Sequence, residues 1–216
     1  MTGVEGRSGS SEGFASALED LGSAGRAFLL AADAPSAVHE RACERWLGAP
    51  DADHRSLVVT TGGPGAHGHA TRTLAFGSDV RGATAATDSV STRPHATTLA
   101  DLGDEVLDAV ADLEAGALDG DLRVCVDGLL PLQYAADEET AFRFLCLLVN
   151  RVRAADALAH VHLQAPRDGP AARLYEPLFD GTVGLRVVDG DAQERWHLAD
   201  PDVDSGWVPL GDATDL

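Results

Sequence analysis

Lysine is absent from the 216 residues: all 16 basic side chains are arginine, set against 35 Asp plus Glu, for a formal net charge of −19. A chain so short of positive charge, with its arginines dispersed, has no basic stripe to neutralise phosphates, which argues against nucleic-acid binding. The same charge disfavours a compact state in dilute buffer, whereas at molar salt the screening length falls to about 3 Å and the self-repulsion largely disappears. Aromatics are few, at 5%, yet hydrophobic residues reach 44%, so the acidity reads as a solvated surface over an ordinary core. Cysteine is scarce too. Cys43, Cys125 and Cys146 are odd in number and far apart, which argues against a disulfide framework or a zinc knuckle and leaves buried thiols as the expectation. No apolar run reaches the roughly 18 residues of a membrane span, and the polar start has no signal-peptide core. A cytoplasmic protein is expected.

What is present is an alternation of apolar strands and amphipathic helices. Residues 1–11, rich in Gly, Ser and Glu, read as a flexible tail, residues 12–198 as a single domain, and residues 199–216 as an acidic C-terminal tail or edge cover. Phe14, Leu18 and Leu21 fit a short helix. RAFLLA (Arg26–Ala31) fits a strand buried on both faces, and Pro35 and Ser36 start a helix with Val38, Ala42, Trp46 and Leu47 on its apolar side. Ser56–Thr60 and Thr71–Phe76 follow as strands around a glycine-rich loop, and Thr87–Ser91 is a candidate short strand. Thr98 is placed to cap a helix whose Leu99, Leu102, Val106, Val110 and Leu113 keep a 3.6 period.

The stretch from Leu122 to Leu163 organises the rest: a core strand (Leu122–Val126), a loop, a helix capped by Asp137 and running to about Ala155, and a strand (Ala159–Leu163). On that last strand His160 and His162 share a face opposite Ala159, Val161 and Leu163. Pro170–Leu178 reads as a short helix, and Thr182–Val188 and Gln193–Leu198 flank Asp189-Gly190, a hairpin signal. The pattern specifies an α/β fold, a mostly parallel sheet flanked by helices with a C-terminal β-hairpin.

Few residues carry chemistry. Asp127 ends the core strand. His160 and His162 could hold a metal with one further carboxylate, and His67 and His69 repeat the spacing, although packed or hydrogen-bonded histidines are the simpler reading. Gly62-Gly63-Pro64-Gly65 reads as a plain loop, and Cys125 as an inert strand thiol. Ser36 has no G-x-S-x-G elbow around it and reads as a helix cap.

RVCVDGLLPL, an apolar strand ending in Asp127, resembles the Walker B strand of RecA-like ATPases of the KaiC type. With LLPLQYAADEETAFRFLCLLVNRVRAADALAHVHL, LADLGDEV, LFDGTVGLRVVDG and RWHL, the chain from about Phe14 to Leu198 resembles uncharacterised KaiC/GvpD-like proteins of halophilic archaea, whose acidic, Ala-, Asp-, Val- and Gly-rich composition it shares. The resemblance implies a RecA-like fold and a vestigial Walker B position at Asp127. The departures are larger than the match. Where a P-loop would carry G-x-x-x-x-G-K-[ST] the chain reads AADAPSAVHE (Ala31–Glu40), without glycine or lysine and with Asp33 and Glu40 where phosphate charge would sit. Thr60 and Thr61 stand where KaiC-like enzymes carry catalytic glutamates. The expectation is a non-catalytic pseudo-ATPase with no cofactor, acting in signalling or regulation through a protein partner or a homo-oligomer. Two alternatives stay open: a nucleotide-binding ATPase or sensor with a rewired site using ATP and Mg²⁺ at Asp127, and a small-ligand module in the vacated cleft.

Overall fold

In the computed structural model, residues 25–48, 54–61, 70–77, 95–115, 121–199 and 202–211 are described. The expected helix at Phe14–Leu21, the Gly62–Gly65 loop with His67 and His69, and the strand at Thr87–Ser91 lie outside them. The described residues form a mixed α/β fold around one sheet of nine strands, ordered β4-β3-β2-β5-β6-β1-β7-β8-β9. The strands are β1 (Arg26–Ala31), β2 (Arg55–Thr60), β3 (Arg72–Phe76), β4 (His95–Ala96), β5 (Leu122–Val126), β6 (Leu158–Leu163), β7 (Gly181–Val188), β8 (Asp191–Leu198) and β9 (Val203–Pro209). β1 to β7 pair in parallel, and β8 and β9 join antiparallel at one edge.

The parallel strands are continuous apolar runs because helices cover both faces. One face packs under α2 (Leu99–Glu114), α3 (Leu129–Ala135), α4 (Glu138–Ala154) and α5 (Pro170–Tyr175), with Leu29, Val59, Val124, Val126 and Val161 in the common core. The other face packs under α1 (Ser36–Leu47), where Trp46 stacks on Trp196 at 4.9 Å between ring centroids and meets Phe28 edge-on at 5.1 Å.

Local chemistry sets the element ends. The Thr98 hydroxyl accepts from Asp101 N at 3.1 Å, and the Asp137 carboxylate accepts from Thr140 N at 2.7 Å. α4 also carries Glu138 and Glu139 in its first turn and Arg151 and Arg153 in its last, complementing the helix dipole. On its apolar side Phe144, Leu145, Leu148, Val149 and Val152 are buried, while Phe142 and Leu147 are only half-buried. Asp189 (φ 53°) and Gly190 (φ 92°) both take positive φ, as a two-residue hairpin joining β7 to β8 demands.

Three expectations need correction. The segment after Asp127, expected as a loop, forms helix α3, because Pro131 falls in the first turn, where no intrahelical N–H is needed. Ser36 does not cap α1: the cap position is Pro35, with no side-chain hydrogen bond, and Ser36 is the first helical residue. Of the stretch expected as an acidic tail or edge cover, part is no tail but the edge strand β9, held by the bidentate Arg195–Asp204 pair (2.6 and 2.8 Å) and by Trp207, over which the Arg186 guanidinium lies at 4.0 Å from the ring centroid.

Candidate functional site

Asp127 stands at the carboxyl end of β5, as its sequence position requires. Its carboxylate is fully engaged nearby: Oδ2 accepts from Thr60 Oγ1 at 2.6 Å, and Oδ1 accepts from Thr61 N at 2.8 Å and Thr61 Oγ1 at 3.1 Å. Gln164 Nε2 donates to its main-chain carbonyl at 3.0 Å. The two threonines at the end of β2 are thus the donors that tie Asp127 to the neighbouring strand. Gly128 allows the approach, since a Cβ there would stand 2.7 Å from Thr61 Oγ1.

The turn from β1 into α1 spans four residues, 32–35. No residue from Ala31 to Glu40 has a left-handed backbone, so the alternating conformations of an anion-binding nest are missing. Ala32 N donates to Leu163 O at 3.1 Å and Val38 N to Pro35 O at 2.9 Å, and Asp33 is exposed at the turn.

Beside this turn lies an open cleft of about 640 Å³ at the carboxyl end of β1, lined by Asp33, Arg167, Arg173, Arg186, Arg195 and Trp207 among others. Arg167 is bonded to Glu176, Arg186 to Gln193 and Arg195 to Asp204. Asp127 is not part of its lining.

A second cluster lies on the opposite side of the sheet plane from α4. In the β5–β6 register Cys125 is directly across from His160, and α1 lays Cys43 over both. Cys43 Sγ is 3.1 Å from Cys125 Sγ and 3.2 Å from His160 Nε2. His162 completes a set of four whose ligating atoms all lie within 4.8 Å of one another. All four residues are at most 2% exposed. Behind them His39 Nδ1 faces His162 Nδ1 at 3.1 Å, and His39 Nε2 lies 3.2 Å from Ala32 O. Burial, reinforced by the neighbouring His162, lowers the His39 pKa to about 4, so that ring is neutral. Burial opposes ionisation of Cys43, but the Cys125 hydrogen bond and the nearby imidazoles outweigh it and hold that thiol well below its ordinary value. Burial and the neighbouring Cys43 push Cys125 up.

The sequence pattern placed His160 and His162 on one face correctly and looked for a carboxylate to join them. The structure brings two cysteines instead. Cys146, on α4, is half-buried and outside the cluster. The available signal was that Cys125, like the two histidines, occupies the strand face opposite the valines. The strand register and the docking of α1 are what complete the set.

A family model described as a family of unknown function, DUF7504, matches residues 25–185. The chain belongs to the DUF7504 family. The matched segment contains the whole β1–α1 turn, Asp127 and all four members of the Cys/His cluster, and ends inside β7. No curated protein matches the chain.

Proposed function

We propose that this DUF7504 member is a catalytically silent RecA/KaiC-like domain that works through protein contacts in regulation or signalling in a haloarchaeal cytoplasm. The observation that carries the reading is the β1–α1 turn: four residues, no left-handed residue, no lysine anywhere in the chain, and an exposed Asp33 where a triphosphate would need positive charge. The mostly parallel sheet with an antiparallel hairpin at one edge is consistent with the scaffold that the resemblance implies. Asp127 has its carboxylate occupied by Thr60 and Thr61, as suits a structural residue at a vestigial Walker B position. Contact with a partner or a second copy is supported by the outer end of the β7–β9 extension, where Val187, Val188, Trp207 and Val208 are exposed. Among the described residues no helix is long and apolar enough to cross a membrane.

Calorimetric titration with ATP and GTP plus Mg²⁺ in molar KCl tests the first half of this reading, with no binding and no hydrolysis expected. Micromolar binding that Asp127→Asn abolishes would overturn it. Crosslinking and pull-down at native salt test the second half.

The cleft at the end of β1 favours a second reading, a small-ligand module. Four of the chain's 16 arginines line it in a strongly acidic protein, an arrangement suited to a small polar or anionic ligand. The same titration run with a metabolite panel separates the two, since saturable binding weakened by Arg173→Ala would favour the module.

A further inference from the structure

We propose that Cys43, Cys125, His160 and His162 form a closed structural zinc site that pins α1 to β5 and β6.

The donor set and its geometry point to that metal. Zinc in a tetrahedral Cys₂His₂ site, with bonds of about 2.3 Å to sulfur and 2.0–2.1 Å to nitrogen, spaces its ligand atoms about 3.3–3.8 Å apart. Here the two sulfurs are 3.1 Å apart and Cys43 Sγ and His160 Nε2 3.2 Å, so these ligands would move slightly apart to admit the ion, and no pair exceeds 4.8 Å. Two soft thiolates with two imidazoles in a compact set select zinc over the hard divalent cations. Two thiolates cancel the charge of Zn²⁺ and both imidazoles stay neutral, so the loaded site is uncharged, as a position inside the core requires. On binding, the two thiols give up their protons to solvent.

The histidine contacts add a geometric argument. Ala32 O can only accept, so His39 Nε2 carries the proton that bonds it. The 3.1 Å contact with His39 Nδ1 engages His162 Nδ1 and leaves Nε2, a buried nitrogen, as the one that can ligate. The chain carbonyl–His39–His162 has the form of an outer-shell relay that fixes a metal-ligating imidazole. With every ligand buried, no open position faces solvent, so the metal would be structural and not catalytic. Its mechanical role follows from its place: α1 has no side-chain cap at its start, and zinc would tie it through Cys43 to two central strands.

The test uses the full chain, produced without a polyhistidine tag, refolded anaerobically with zinc and desalted into molar KCl. Elemental analysis should find about one zinc per chain, retained in Cys146→Ser and lost in Cys43→Ser and Cys125→Ser. If the serine variants fail to fold, cobalt loading of the wild type decides: tetrahedral d–d bands with a thiolate-to-cobalt charge-transfer band are expected. In chelator competition, His39→Ala should bind zinc about 10–100-fold more weakly. A metal-free wild type with free thiols, a Cys43–Cys125 disulfide seen by mass, cobalt spectra without thiolate charge transfer, or zinc retained by a folded Cys125→Ser would each overturn the proposal.

Discussion

Thr60 donates its hydroxyl to Asp127 across the β2–β5 pair at 2.6 Å, and Thr61 adds its backbone N–H to the other carboxylate oxygen. Those bonds make Asp127 a strut between two strand ends. Asp127→Ala should therefore cost about 1–3 kcal/mol, the price of stranding partly buried donors, and Asp127→Asn less, because its amide oxygen still accepts one of them. Thermal or urea unfolding in molar KCl measures both.

Arg45 on α1 and Glu194 on β8 form an ion pair almost closed from water, with side chains 10% and 3% exposed. Neither charge has solvent to fall back on. Glu194→Ala leaves a buried guanidinium unpaired and should destabilise the fold by about 3–5 kcal/mol, while replacing both residues by apolar ones, Arg45→Met with Glu194→Leu, should cost much less. A double-mutant cycle gives the coupling between them.

β9 is fastened by Arg195 and Asp204, a pair that predicts acid sensitivity. Burial alone would raise the Asp204 pKa, but the Arg195 hydrogen bonds, the Gly206 N–H and nearby His197 hold it below its ordinary 3.8. A carboxyl with a depressed folded pKa contributes stability that is complete above its unfolded value and is lost as pH falls through the folded one. Stability should thus drop as pH is lowered below about 4, and Asp204→Asn should flatten that part of the curve. Arg195 and Asp204 are 44% and 31% exposed, so the neutral-pH loss in the variant should be no more than about 1 kcal/mol. Unfolding midpoints measured across the acid range check both the slope and the offset.

Strand β7 predicts a steric limit. A Cβ on Gly181 would stand 2.6 Å from the carbonyl oxygen of His197 on the paired strand and 3.1 Å from the Phe28 ring. The carbonyl belongs to a backbone ladder and cannot swing aside. Gly181→Ala should cost about 1–3 kcal/mol, whereas Gly190→Ala meets no neighbour and is penalised only for its positive φ. Comparing the two by equilibrium unfolding separates crowding from backbone strain.

The fold was legible wherever local pattern and burial agree. The β5 boundaries, the Thr98 and Asp137 caps and the Asp189-Gly190 hairpin are each written in a few adjacent residues. α3 was missed because Pro131 looks like a breaker unless the helix start is known, and β9 because it is held by Arg195 and Arg186 on other strands. The Cys/His cluster was hidden for the same kind of reason. Only His160 and His162 share a local spacing; Cys43 and Cys125 are remote in sequence, and only the β5–β6 register, with α1 crossing above it, brings their sulfurs to the imidazole nitrogens.

Charge gives the last prediction, on the solvent face of α2. Asp104, Asp108 and Asp112 are exposed at successive i, i+4 positions, and only Asp112 has an ion-pair partner described, Arg72 at 2.8 Å. Like charges at that spacing disfavour a helix by about 0.2–0.5 kcal/mol per pair. Asp108 belongs to two such pairs. Asp108→Arg converts both to attractions and should stabilise the protein by about 1 kcal/mol in dilute buffer. At molar KCl, where screening acts within about 3 Å, the gain should nearly vanish. The melting temperature of the wild type should rise over the same salt range, since its net charge of −19 is then screened. Melting curves for both proteins from dilute to molar KCl test this, and a salt-independent advantage for Asp108→Arg would show that helix propensity, not repulsion, governs that face.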